Sequence, residues 1–153
     1  MGMLNKMKKT YHKLRNATPL KKRYFKVTDV KKNSTSMGAK LVKPVSGRTP
    51  VSAAKKAMTK LCKKSNVPCD KNKQTLTIVL REQKKKTLAN GGHRYVNKQV
   101  MNNNKPKLVQ YKYDIHRKKQ SKKEGTVNHN NKNVYYKYKL SVKSGAGRKL
   151  INP

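Results

Sequence analysis

The chain has 153 residues, and its 41 Lys and Arg against five Asp and Glu give a net charge of +36. Leu, Ile, Val and Phe make up about 18% of the residues, and a low apolar fraction with a high net charge is typical of disordered chains. So little core material argues against an enzyme with a preformed pocket, and we expect no cofactor, no metal ion and no small-molecule substrate.

The N-terminal part is predicted to be basic and largely extended. Residues 1–22 carry apolar side chains at near-helical spacing, which fits a short amphipathic helix or an arm that orders on a partner. Residues 23–30 alternate and predict a strand with Phe25 and Val27 on one face, and residues 31–39 have the composition of a linker. The first residues lack the apolar segment of a secretory signal, and no run in the chain approaches the roughly 18 apolar residues of a membrane span.

The clearest local pattern predicts a helix over residues 50–64. Thr49 is a suitable N-cap, and Pro50 stands at the first helical position, where its missing N–H is not needed. Apolar side chains then recur at helical spacing: Val51, Ala54, Met58 and Leu61. Lysines take much of the remaining surface: Lys55, Lys56, Lys60, Lys63 and Lys64. This pattern indicates a basic amphipathic helix.

Beyond this helix the apolar pattern changes to a period of two, which is typical of half-buried antiparallel strands. Such alternation is found around Leu76, Ile78 and Leu80, in residues 107–118 and in residues 133–143. Residues 93–98 are placed to pair with the first of these strands across a basic turn. That turn is expected to hold Lys84, Lys85, Lys86, Gly91 and Gly92. The intervening residues 120–133 are expected to form a polar, mobile loop.

These elements predict an α+β fold, in which one basic amphipathic helix packs on a twisted antiparallel sheet or partial barrel. Residues 1–39 are assigned to a basic N-terminal arm and linker, 40–142 to a compact helix-plus-sheet domain and 143–153 to a C-terminal tail. The arms have little apolar content, so we expect them to become ordered only on a partner.

The two cysteines, Cys62 and Cys69, leave three interpretations open. Structural zinc sites usually begin with cysteines two to four residues apart and a second close pair, and the four histidines are dispersed. The favoured interpretation is that Cys62 packs as a small hydrophobe and Cys69 is free. A disulfide between them is the first alternative.

Six tyrosines alternate with basic residues, as in surfaces that stack the bases of single strands. Most of them lie on the apolar phase of the predicted strands, so core packing is the favoured interpretation. The six are Tyr95, Tyr111, Tyr113, Tyr135, Tyr136 and Tyr138.

The basic residues are 34 lysines and seven arginines. Lysine is a hydrated point charge, whereas arginine makes bidentate hydrogen bonds of fixed geometry to guanine or phosphate. This composition therefore favours sequence-independent neutralisation of phosphate or of acidic protein. The candidate binding residues are Lys55, Lys56, Lys60, Lys63, Lys64, Arg81, Lys84, Lys85, Lys86, Arg94, Lys112, Arg117, Lys118 and Lys119.

A small-residue basic helix followed by a TIVLRE-type strand and basic hairpins resembles the archaeal monomeric chromosomal protein of methanogens. The relatives of that protein in large DNA viruses of eukaryotes are more similar still. The segments GRTPVSAAKKAMTKLCKKS, LTIVLREQKKK, HRYVNKQV and VQYKYDIHRKK carry the resemblance, over about residues 47–119. It implies a helix-plus-sheet fold that binds and bends duplex DNA without strong sequence preference. The chain departs from the archaeal pattern in having no Trp, few acids and added arms, which favours a structural use in a virus particle.

The resemblance and the charge together predict a non-enzymatic minor capsid or core protein of a large DNA virus. Its expected partners are capsid proteins and double-stranded DNA bound without sequence specificity. Its expected location is the virion, with the host nucleus or virus factory during assembly. An architectural nucleoid protein and a ribosomal protein are the alternatives, because DNA, RNA and acidic proteins all present negative surface.

Overall fold

The structure is a computed structural model, and it describes residues 21–38, 41, 43–63 and 67–153, without the side chains of residues 144–146. The predictions made for residues 1–20 and for Lys64 lie outside these ranges.

The described residues are mostly antiparallel strands with one longer helix, consistent with the predicted α+β class. In chain order the elements are β1 (Arg23–Lys32), β2 (Thr35–Ser36), β3 (Val45–Gly47), α1 (Pro50–Lys63), β4 (Lys73–Thr87), β5 (His93–Asn97), β6 (Gln99–Asn102), β7 (Lys105–Lys119), α2 (Lys122–Gly125), β8 (Thr126–His129), β9 (Lys132–Tyr135) and β10 (Tyr138–Ile151). None of the helices in these ranges is long and apolar enough to cross a membrane.

The main sheet has the strand order β10-β7-β4-β1-β2, and β3 pairs with the start of β1. β4 and β7 pair with each other only as far as Arg81 and Gln110. Beyond that point β5 pairs with β4 and β6 pairs with β7, so the two long strands diverge around these short ones. β8 and β9 form a separate two-stranded sheet.

The core lies between α1 and one face of the main sheet. Thr49 caps α1 by accepting a hydrogen bond from the Ser52 N–H at 3.2 Å, as its position before Pro50 predicts. α1 buries Ala53, Ala54, Ala57, Met58 and Leu61. Alternate strand residues complete the core, among them Phe25, Val27, Leu76, Ile78, Leu80, Val109 and Ile115.

Three of the hairpins turn through two residues that both have positive φ, the geometry of type I′ turns. These pairs are Asn33-Ser34, Asn103-Asn104 and Asn130-Asn131. Asn tolerates this region better than most other residues except Gly. The paired polar residues are therefore the sequence signal for hairpins that the alternation pattern alone did not reveal.

The sheet corrects both predicted domain boundaries. Phe25, Val27 and Val30 of β1 are fully buried, so the predicted N-terminal arm contains a core strand. At the other end β10 runs to Ile151 beside β7, so most of the predicted tail is part of the sheet. Pairing with strands distant in sequence stabilises these two segments, although their own composition does not predict that they belong to the sheet.

Three local predictions also need correction. Lys84, Lys85 and Lys86 belong to β4 instead of the turn, because β5 continues the ladder as far as Thr87. The strand predicted over residues 133–143 is interrupted, since β9 and β10 join different sheets. The loop predicted over residues 120–133 instead contains α2 and the β8–β9 hairpin.

Cys62 and Cys69 form a disulfide, with their Cα atoms 5.4 Å apart. The favoured interpretation, a packed Cys62 and a free Cys69, is therefore wrong, and the disulfide alternative is the one found. The bond joins the last turn of α1 to the segment that leads into β4.

Candidate nucleic-acid interface

The face of the main sheet turned away from α1 is rich in lysine. Successive strand residues point to opposite faces, so the residues that alternate with the buried Leu76, Ile78 and Leu80 project away from the helix. We call this surface the outer face. Its basic residues in the described ranges are Lys26, Lys31, Lys73, Arg81, Lys85, Lys112, Lys118, Lys139 and Lys149.

Strand register arranges the outer-face charges in rows. One row crosses four strands and consists of Lys26, Arg81, Gln110 and Lys149. A second row consists of Lys73, Lys118 and Lys139. With strands about 4.8 Å apart and about 3.3 Å per residue along β4, the first row is roughly 14 Å wide and the rows are roughly 27 Å apart.

The acids of the outer face lie between these two rows and interact with neighbouring side chains. Ser36 Oγ donates a hydrogen bond to Asp29 Oδ1 at 2.7 Å, and Thr77 Oγ1 donates one to Asp114. A shallow depression of about 360 Å³ lies in this middle zone, next to Asp29 and Lys112. Lys31 and Lys112 also lie in this zone and balance the two acids, so the net positive charge is concentrated at the two ends of the face.

The tyrosines divide between the core and the surface. Tyr111 is buried and stacks on Tyr113 with their ring centroids 6.3 Å apart, which agrees with the core-packing interpretation. Tyr135 and Tyr136 are exposed, which contradicts it for these two. On the outer face Tyr95 contacts Tyr24, with ring centroids 5.2 Å apart.

An ion pair between the buried Glu82 and the half-buried Arg23 marks the point where β4 and β7 diverge. The Arg23 guanidinium donates to both Glu82 oxygens, at 2.7 and 3.1 Å, and Lys98 Nζ lies 3.4 Å from the same carboxylate. Tyr111 Oη also donates to Glu82, at 3.3 Å. Desolvation raises the pKa of Glu82, but the hydrogen bonds and charge of Arg23, with those of Lys98, outweigh it and hold the pKa below 4.5. The same contact raises the pKa of Arg23.

The structure divides the predicted binding residues among several surfaces. The outer face has Arg81, Lys85, Lys112 and Lys118. The exposed side of α1 has Lys56, Lys60 and Lys63, with Lys55 half-buried beside them. The β4–β5 hairpin has Lys84, Lys86 and Arg94 on its other side. Lys119 is exposed at the end of β7, and Lys64 lies outside the described residues.

Arg117 is held within the fold and is less available to a partner than the sequence indicated. Its guanidinium carbon lies 4.0 Å from the centroid of the Tyr138 ring, and its Nη2 donates to the Asp70 carbonyl at 3.4 Å. These contacts join β7 to β10 and to the segment before β4. We therefore assign Arg117 a structural role.

Sequence reasoning missed five outer-face lysines: Lys26, Lys31, Lys73, Lys139 and Lys149. Lys26 had a usable signal, because it lies between Phe25 and Val27 in an alternating segment. No local sequence signal placed Lys149 on the outer face, because its position depends on the pairing of β10 with β7.

The site has the chemistry of a surface for polyanions. Lysines on neighbouring strands present ammonium groups that bind phosphate or carboxylate oxygens without fixed geometry. In the described part of the chain, no three His, Cys, Asp or Glu side chains lie close enough to hold a metal ion.

Comparison of the chain with family models, with curated proteins and with solved structures gives no match in any of the three. The resemblance to chromosomal proteins therefore depends on the sequence segments quoted above.

Proposed function

We propose that this protein is a non-enzymatic structural protein that binds duplex DNA through its phosphates, without reading base sequence. The outer face is its main contact surface. The observation that supports this most strongly is the row of Lys26, Arg81 and Lys149, which lies across four strands on the side away from α1.

The charge balance of the whole chain supports the same proposal. Five acids can neutralise at most five of the 41 basic residues, so at least 36 positive charges require counterions or an external polyanion. Displacing the counterions condensed on a duplex favours the binding of such a protein.

The residue types on the outer face favour binding without sequence preference. All but one of its nine basic residues are lysines, which lack the bidentate geometry with which arginine reads guanine. Contacts to phosphate position a protein on DNA and carry no sequence information directly.

We further propose that the protein acts in the particle of a large DNA virus, as a minor capsid or core component. The resemblance described above supports this setting. In that setting the basic helix and the terminal basic residues would add contacts to DNA or to acidic capsid proteins. An architectural nucleoid protein remains the second candidate, since it would use the same outer face.

The proposal is tested by fluorescence anisotropy with the full chain and labelled duplexes of equal length that are AT-rich, GC-rich or mixed. We expect affinities that agree within about threefold, because specific recognition separates sites by about 10³-fold or more. Polyglutamate serves as an acidic-protein competitor. A strong preference for one duplex, or binding to polyglutamate without binding to DNA, would contradict the proposal.

A further inference from the structure

The exposed side of α1 forms a second basic surface. Lys56, Lys60 and Lys63 follow one another at i, i+4 and i+7, which places them along one stripe of the helix about 10 Å long. No acidic residue occurs between Pro50 and Lys63. We call these three lysines the helix stripe.

The helix stripe and the outer face lie on opposite sides of the fold. α1 buries Ala54, Met58 and Leu61 against the sheet, so Lys60 and Lys63 lie on its exposed side. Lys56 is also exposed, and its Nζ donates a hydrogen bond to the Ser46 carbonyl of β3 at 2.9 Å. The outer face projects from the far side of the same sheet. A helix alone is about 10–12 Å across, which exceeds the Debye length of about 8 Å at physiological salt. The two surfaces can therefore bind separate partners without strong mutual influence.

A single duplex does not easily reach both surfaces. To contact both, it would have to turn through roughly 180° around the edge of the domain. Bending a short duplex by 40–90° already costs free energy, and this elastic energy grows steeply with the angle. Two separate duplexes, one on each surface, would contact the same lysines without being bent.

We propose that the protein bridges two DNA duplexes, one on the outer face and one on the helix stripe. This inference rests on the proposed function and adds a second DNA site to it. The outer face is the stronger site because it has nine basic residues in the described ranges, against three in the stripe. Bridging of this kind would draw DNA segments together and compact them.

The test uses a biotinylated duplex on beads, a fluorescent duplex in solution and the full chain at limiting concentration. The wild type is expected to retain the fluorescent duplex on the beads. Binding to one labelled duplex is measured separately by anisotropy. If the wild type binds no duplex at all, the proposed function fails; if it binds one duplex but retains no second, only the bridging inference fails.

Two triple variants with the same net charge locate the second site. The stripe variant is Lys56→Gln, Lys60→Gln and Lys63→Gln, and the control is Lys122→Gln, Lys123→Gln and Lys132→Gln, near and within the β8–β9 hairpin. Each lost phosphate contact lowers the affinity for DNA about fivefold at 0.15 M salt. Losing three contacts should therefore weaken duplex binding at the stripe by about 10²-fold.

We expect the stripe variant to retain at least about tenfold less fluorescent duplex on the beads than the wild type does. Its affinity for a single duplex, measured by anisotropy, should change by no more than about twofold. The control variant should bridge like the wild type. Equal bridging by the stripe variant and the control would overturn the inference, because the second duplex would then be held elsewhere or by a protein dimer. In a parallel assay, labelled polyglutamate replaces the fluorescent duplex. If the stripe variant no longer retains polyglutamate on the beads but still retains the duplex, the stripe binds acidic protein and the inference is overturned.

Discussion

At the scale of single residues, Glu82 is the acid most deeply involved in the fold. Its side chain is only 5% exposed, and that of its partner Arg23 is 33% exposed. A buried carboxylate is tolerated only when charged and hydrogen-bonding partners replace water, and here Arg23, Lys98 and Tyr111 do so. Because these partners come from β1, the β5–β6 junction and β7, the carboxylate connects the strands where the sheet divides.

Replacing Glu82 with Gln is expected to lower the free energy of unfolding at neutral pH by about 2 kcal/mol. This is below the usual cost of breaking a buried pair, because Arg23 retains access to water. Urea denaturation measures the change. The exposed Glu124→Gln substitution serves as the control and should leave the free energy of unfolding nearly unchanged.

The lowered pKa of Glu82 also fixes the direction of a pH effect. Its stabilising contribution is complete above pH 4.5 and is lost as the pH falls through the lowered pKa of the folded state. Wild-type stability should therefore fall more steeply below about pH 4.5 than that of Glu82→Gln. Parallel pH profiles for the two proteins would show that the carboxylate is not held by its partners in this way.

At the scale of elements, prediction from sequence succeeded where local signals were sufficient. Thr49, Pro50 and the spacing of Ala54, Met58 and Leu61 indicated the helix without help from the rest of the chain. β10 had no such local signal, because Gly145, Gly147 and several lysines gave it the composition of a tail. Its pairing with β7 comes from long-range contacts. The Cys62–Cys69 disulfide likewise depends on how the end of α1 approaches the segment before β4.

β1 is the element whose role changed most between sequence and structure, and two neighbouring substitutions test it. Val27 is fully buried, whereas Lys26 is exposed on the outer face. Val27→Asp would bury an unpaired charge and is expected to cost about 4 kcal/mol or more, enough to unfold a marginally stable domain. Lys26→Asp should stay within about 1 kcal/mol of the wild type. Circular dichroism melting distinguishes them, and equal melting temperatures would show that β1 is an arm outside the core.

At the scale of the whole molecule, a modest apolar core supports a surface with a large excess of positive charge. Composition alone indicated disorder, yet alternation in β1, β4 and β7 collects enough apolar side chains on one face to pack against α1. The same alternation sends lysines to the other face. The charge count predicts a surface for polyanions, whereas locating the outer face required the register of four strands.

The salt dependence of duplex binding tests the central claim most directly. The variant Lys26→Gln, Lys112→Gln and Lys149→Gln removes three exposed outer-face lysines, and the variant Lys122→Gln, Lys123→Gln and Lys132→Gln removes three charges elsewhere. For the outer-face variant the slope of log K against log salt concentration should be shallower by about 2.7, since each lost phosphate contact contributes about 0.9. The control should keep the wild-type slope. Equal slopes for the outer-face variant and the wild type would contradict the assignment of the outer face as the DNA-binding surface.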